Sequence, residues 1–158
     1  MDNYISVLKK YAVFGGRARR KEYWMFFLFN VIIAVIFGVL IGLSSVIGLR
    51  ALGGLFTIII IIYGLAVLLP SLGVSVRRLH DTGRSAWWLL LVIVPAVIVS
   101  IFTNAGLHGS LMGLIRLIYY VCEVVFIVLL CLDSQPGENQ YGPNPKQITI
   151  NSTPNQGL

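Results

Sequence analysis

Four stretches of the chain are apolar over lengths that fit only membrane-spanning helices: Tyr23 to Leu43, Leu52 to Val74, Ala86 to Thr103 and Leu111 to Leu132. Crossing about 30 Å of hydrocarbon takes roughly 20 apolar residues at a helical rise of about 1.5 Å. Each stretch comes close to that length almost without charge, the exceptions being Arg116 and Glu123 in the fourth. Hydrophobic residues make up 57% of the 158, charged residues only 11%, and the mean hydropathy is +0.85. One small core cannot hide that much apolar surface, so lipid must solvate the rest. The sequence predicts an all-α, polytopic membrane protein. A single domain over 1–146 carries four transmembrane helices, and a disordered tail follows over 147–158.

The segment before the first span is mixed and charged, unlike the short apolar core and small-residue cleavage site of a secretory signal. The first span therefore reads as a permanent anchor. Ahead of it, Tyr4, Val7, Leu8 and Tyr11 recur at helical spacing with Lys9 and Lys10 off the stripe, which predicts a short interfacial helix. Gly15-Gly16 then marks the bend into the membrane. Cys122 and Cys131 fall on nearly opposite faces of one helix and do not pair.

Charge sets the expected orientation. Lys9, Lys10, Arg17, Arg19, Arg20 and Lys21 precede the first span, Arg77, Arg78 and Arg84 lie between the second and third, and Lys146 follows the fourth. The two remaining loops hold Arg50 alone. Basic residues concentrate on the cytoplasmic side, so both termini are expected there. Tyr23, Trp24, Trp87 and Trp88 open the first and third spans on that same side, at headgroup level. The net charge of +6 suits anionic lipid headgroups. It does not point to nucleic acid, because the basic residues hug the membrane boundary and form no separate domain.

The chemistry-bearing residues cluster in Arg77-Arg-Leu-His-Asp-Thr-Gly-Arg-Ser-Ala-Trp-Trp88. Asp81-Thr82-Gly83 spells the aspartic-protease triplet, but that chemistry needs two carboxylates sharing a proton on a β-rich fold. A tight turn is the better reading, with Ser85 placed to cap the third span. His80 has no second histidine on its side of the membrane, so neither a metal nor another cofactor is expected. Arg17, Arg20, Arg77, Arg78 and Arg84, with His80 and Asp81, are candidates for binding a lipid phosphate or a phosphorylated ligand, because the guanidinium fork suits bidentate phosphate contacts. Alternatively, Asp81 or Glu22 pairs with the arginines of the opposite cluster and locks the hairpins together.

Inside the fourth span, Arg116 and Glu123 lie within about 20° of one another on one helix face. The axial gap of about 10 Å calls for a mediator, for which Tyr119, Tyr120, water and Asn30 are candidates. This intramembrane polar pair reads either as a structural lock or as a proton or substrate pathway. Gly38 with Gly42 and Gly109 with Gly113 have the spacing that lets helices approach closely, within the chain or in a homo-oligomer. Kinks are expected at Pro70 and Pro95, and a structured cap over Asp133 to Lys146.

Three motifs, FGGRARRKEYW, PSLGVSVRRLHDTGRSAWW and GENQYGPNP, resemble in order the signatures of a bacterial inner-membrane family catalogued as domain of unknown function 805. The resemblance runs from about Phe14 to Pro145 and implies a four-span protein of the bacterial inner membrane, with no established activity, substrate or cofactor. All three motifs fall on the expected cytoplasmic side, which predicts one composite surface. The leading functional expectation is a non-enzymatic binding or scaffold module whose Arg/His/Asp/Trp surface engages anionic lipid, a phosphorylated ligand or a protein partner. The alternative is a small oligomeric transporter or channel component working through Glu123 and Arg116.

Overall fold

A computed structural model describes residues 2–146, and all their regular structure is helical apart from one isolated antiparallel bridge between Asn139 and Gly142. The helices are α1 (Asp2–Lys9), α2 (Arg20–Val46), α3 (Arg50–Asp81), α4 (Leu90–Asn104, preceded by a 3₁₀ turn over Ala86–Leu89) and α5 (Ser110–Cys131). The tail expected to be disordered, 147–158, lies outside the described residues.

Four of these elements are long and apolar enough to cross a membrane: Arg20–Val46, Arg50–Asp81, Ala86–Asn104 and Ser110–Cys131. Their apolar side chains point outward, with Val35, Ile62 and Leu111 each more than half exposed. In water such patches would drive aggregation, whereas in hydrocarbon they are at no disadvantage. The protein is therefore an α-helical polytopic membrane protein with four transmembrane helices and a short N-terminal helix.

Two compact units divide the chain. Residues 1–14 and 21–74 make the first, which holds α1, nearly all of α2 and most of α3. Tyr4 of α1 stacks on Phe26 with ring centroids 5.2 Å apart, and its hydroxyl lies 3.1 Å from that of Tyr63. Tyr63 in turn donates to Asn30 Oδ1 at 2.7 Å, so Asn30 belongs to this network. The amphipathic stripe on α1 is thus fastened to the spans by an aromatic and polar chain. Near the α2–α3 connection, a Cβ on Gly53 would lie 2.8 Å from the Ser44 hydroxyl, so this glycine permits the close approach. Within the chain, Gly38, Gly42, Gly109 and Gly113 mark no such approach, since a Cβ at each meets nothing within 4 Å.

The second unit comprises Gly15–Arg20 and, among the described residues, the chain over 75–146. In it α4 packs along α5. Helix α3 continues to Asp81 rather than ending near Val74, and it runs through Pro70 as α4 runs through Pro95. At about 48 Å, α3 exceeds the hydrocarbon thickness, so its terminal turns extend beyond the apolar layer. That extension carries Arg77, Arg78, His80 and Asp81 on a helix instead of in a loop.

Candidate functional site

The end of α3 is closed by backbone geometry that the Asp-Thr-Gly triplet makes possible. Arg84 N–H donates to Leu79 O at 2.9 Å and Gly83 N–H to His80 O at 3.0 Å, the paired bonds of a Schellman cap. Gly83 sits at φ +76°, in the left-handed region the cap requires, and a Cβ there would fall 2.5 Å from Gln135 Oε1. The expected tight turn is thus a helix C-cap. Ser85 does not cap the third span with its side chain: its hydroxyl makes no cap bond, and Trp88 N–H instead meets the Ser85 carbonyl at 3.3 Å in 3₁₀ fashion.

Asp81 is the centre of a closed polar knot. Its side chain is fully buried, as are those of Arg17 and Arg78 to within 1%. Arg17 Nε donates to Asp81 Oδ1 at 3.0 Å, while Arg78 Nη1 and Ser134 Oγ, the latter at 2.6 Å, donate to Oδ2. Arg17 spends its other donors on carbonyls: Nη1 on Gly137 at 2.8 Å and Gly142 at 3.3 Å, Nη2 on Gln135 at 2.6 Å and Asp81 at 3.4 Å. A guanidinium has five N–H groups, and Arg17 has a partner for each.

Arg78 ties the end of α5 into the same knot. Its Nε donates to Leu130 O at 3.0 Å and its Nη2 to Leu132 O, which Arg20 Nε also approaches at 2.9 Å. Those carbonyls belong to the last turn and C-cap of α5, where intrahelical partners run out. One carboxylate and two guanidiniums leave the buried triad with one net positive charge. Helix C-termini carry roughly half a negative charge each, and α3 and α5 both end here, so the fold itself balances the triad.

The segment after α5 is bound as a strap. Asn139 Nδ2 donates to His80 O at 2.9 Å, Gln135 N–H to Asp81 O at 2.8 Å, and Tyr141 stacks face to face on His80 with centroids 3.6 Å apart. His80 Nδ1 lies 3.3 Å from Gly16 O, so its ring is committed to packing between two distant segments. Ala18 N–H reaches Arg77 O at 3.0 Å, and Arg77 itself is buried. Asp133 stands outside the knot, exposed. A hydrogen bond from the Lys146 ammonium first, and then one from Ser134 N–H, holds its carboxyl below the usual carboxylate range.

Of the site residues named from the sequence, Arg17, Arg20, Arg77, Arg78, His80 and Asp81 gather around this knot, while Arg84 stands at its edge. The pairing of Asp81 with an arginine of the other cluster is realised. Glu22 turns elsewhere, to Lys10 at 3.7 Å and Ser6 at 3.4 Å. Within α5, the partner of Glu123 is Tyr119, whose hydroxyl donates at 2.7 Å, and the ion pairs among the described residues do not include Arg116 with Glu123. Ser134 and Gln135 were invisible as site residues, since only the turn-rich composition after Leu132 marked that segment. Ser134 contributes its hydroxyl, while Gln135 lends its N–H and carbonyl, backbone groups that carry no sequence signal.

Fold and site together define a class: polytopic α-helical membrane proteins whose pre-span segment, second-span terminus and post-span strap close on a buried Arg–Asp–Arg triad. Residues 11–143 match the family described as "Protein of unknown function (DUF805)". The chain is 41% identical over 146 residues to Inner membrane protein YhaH of Escherichia coli K12, covering 92% of this chain and 98% of that protein. It is 37% identical over 146 residues to Inner membrane protein YhaI of the same strain, covering 92% and 97% respectively. Identity to Uncharacterized protein YiiR of that strain is 26% over 144 residues, 85% of this chain and 87% of that protein. No solved structure matches the chain. The chain belongs to the DUF805 family and is an integral protein of the inner membrane.

Proposed function

We propose that this protein is a non-enzymatic binding and scaffold module, with both termini in the cytoplasm and its basic face set against the anionic headgroups of the inner leaflet. One observation carries the reading: segments separated by more than a hundred residues, Arg17 and Gly137 among them, are locked together around Asp81 with the donors of Arg17 fully used. Saturated guanidiniums make a frame rather than a vacancy for a reacting group. A frame of this kind fixes the basic and aromatic side chains at its edge, and anionic lipid is attracted by about 1 kcal/mol for each Lys or Arg held near the surface.

Native mass spectrometry of the protein released from bilayers containing phosphatidylglycerol and phosphatidylethanolamine tests the binding. Selective retention of phosphatidylglycerol is the expected result, and equal loss of both lipids would overturn the reading. A reporter fused to the C-terminus, active only in the periplasm, tests the orientation and is expected to stay silent.

The transporter alternative has one observation in its favour, the Tyr119 hydrogen bond that holds Glu123 within the fourth transmembrane helix. Glu123→Gln separates the two readings. It leaves lipid retention intact under the scaffold reading and abolishes proton-linked flux under the other.

A further inference from the structure

Arg84 differs from the knot arginines in a way that points outward. Its guanidinium makes a single hydrogen bond among the described residues, Nη1 to Thr82 O at 3.4 Å, and rests over the Trp88 ring at 5.9 Å from the centroid. Among the described residues no carboxylate is paired with it. Most of its donors therefore remain open, whereas Arg17 has none to spare.

Its backbone, by contrast, is fixed. Arg84 N–H closes the cap on α3 through Leu79 O at 2.9 Å, so the residue is anchored to a rigid helix end while its head stays available. Beside it, Trp87 is 77% exposed and Trp88 41%. With Leu91 they line an open groove of about 270 Å³ at the start of the third transmembrane helix. The groove is apolar and its neighbour is a cation, a juxtaposition that neither a free anion nor a plain hydrocarbon fills. An amphiphile with an anionic phosphodiester and an acyl chain meets both demands. The site also lies where the chain passes from polar cap to membrane span, the depth at which tryptophan and phospholipid headgroups coexist.

We infer that Arg84, Trp87 and Trp88 form a binding site for one anionic phospholipid, with Arg84 on the phosphodiester and the Trp87–Leu91 groove along the first acyl segment. The inference rests on the scaffold reading above and names the place where that scaffold holds its lipid. Trp88 has a dual part. Its ring face steadies the guanidinium by a cation–π contact while its flank lines the groove. The knot residues act at a distance by fixing the helix end that presents Arg84.

The test compares the wild type with Arg84→Gln, Arg84→Lys and Trp87→Ala in bilayers of phosphatidylglycerol and phosphatidylethanolamine, counting phosphatidylglycerol retained per protein by native mass spectrometry. Arg84→Gln and Trp87→Ala are each expected to lower retention about fivefold to tenfold, the equivalent of one lost surface cation or aromatic contact. Arg84→Lys is expected to recover part of the loss, because the charge returns without the fork. Circular dichroism of each variant should match the wild type, as these side chains lie outside the knot. Inorganic phosphate in millimolar excess is expected to displace none of the lipid, and displacement by it would overturn the acyl-groove half of the site. A wild type that retains no phosphatidylglycerol overturns the scaffold reading and this site with it. A wild type that retains the lipid beside variants that retain it equally overturns this site alone.

Discussion

Arg78 and Arg84 stand six residues apart in one stretch and have opposite fates. Arg78 is wholly buried, with acceptors from Asp81, Ala18, Leu130 and Leu132 around its guanidinium. Arg84 is half-buried, with one carbonyl and one indole face. The first arginine belongs to the interior chemistry of folding and the second to the surface chemistry of binding. Residue type is the same in both, so what separates them is how many of a guanidinium's five donors the fold has already taken. Helix geometry does the sorting: Arg77, Arg78, His80 and Asp81 lie on the last turns of α3, against the strap and pre-span segment, and Arg84 leaves the cap toward the third span.

If the comparison is sound, disturbing the knot must harm folding and disturbing the edge must not. Asp81→Asn is expected to act most strongly, because it strands two buried guanidiniums without a carboxylate. Breaking one partner out of a buried ion pair typically costs about 3–5 kcal/mol, and unfolding in mixed micelles would register it. Arg17→Lys ranks next, at about 2 kcal/mol, since one ammonium cannot reach the acceptors that Arg17 serves. The same exchange at Arg84 should leave the unfolding midpoint within about 0.5 kcal/mol of wild type. Equal losses at both positions would erase the distinction.

Gly83→Ala is expected to cost about 1–2 kcal/mol, the penalty for a side chain at positive φ. Because Gly83 also positions Arg84, the same variant should reduce phosphatidylglycerol retention, while Asp81→Asn that stays folded at low temperature should reduce it less. The smallest effect concerns pH. Asp133 has its carboxyl depressed by Lys146, so the pair contributes stability above the ordinary carboxylate pKa and loses it as pH falls through the depressed value. Between about pH 5 and 8 stability should be indifferent to the pair's titration. Below about pH 4 the wild type should lose a small increment that Lys146→Ala lacks.

Much of the fold was legible because lipid imposes a simple length rule on apolar sequence. The spans expected from Tyr23, Leu52, Ala86 and Leu111 onward all appear within a few residues. The expected end near Val74 fell short because polarity, not helicity, changes there, and α3 keeps its backbone bonds until Gly83 can close them. Glycine spacing did not locate the close approach within the chain. The G-x-x-x-G pairs lie on faces open in the single chain, while a close approach occurs at Gly53, beside Ser44. Spacing reports which residues share a face and is silent on whether anything packs against it.

The sequence by itself determined the class of molecule, the number of spans and the clustering of basic and aromatic residues at their ends, because hydropathy and charge are local properties that the membrane reads directly. It also marked Arg17, Arg78 and Asp81 as partners of some kind. Only the tertiary structure decided that Arg17 and Arg78 turn inward and Arg84 outward, and that Glu123 takes Tyr119 rather than Arg116. The inward turn of Arg17 and Arg78 depends on carbonyls at a helix end and in the strap, on Gly137, Gly142, Leu130 and Leu132, groups every residue carries and no side-chain pattern announces.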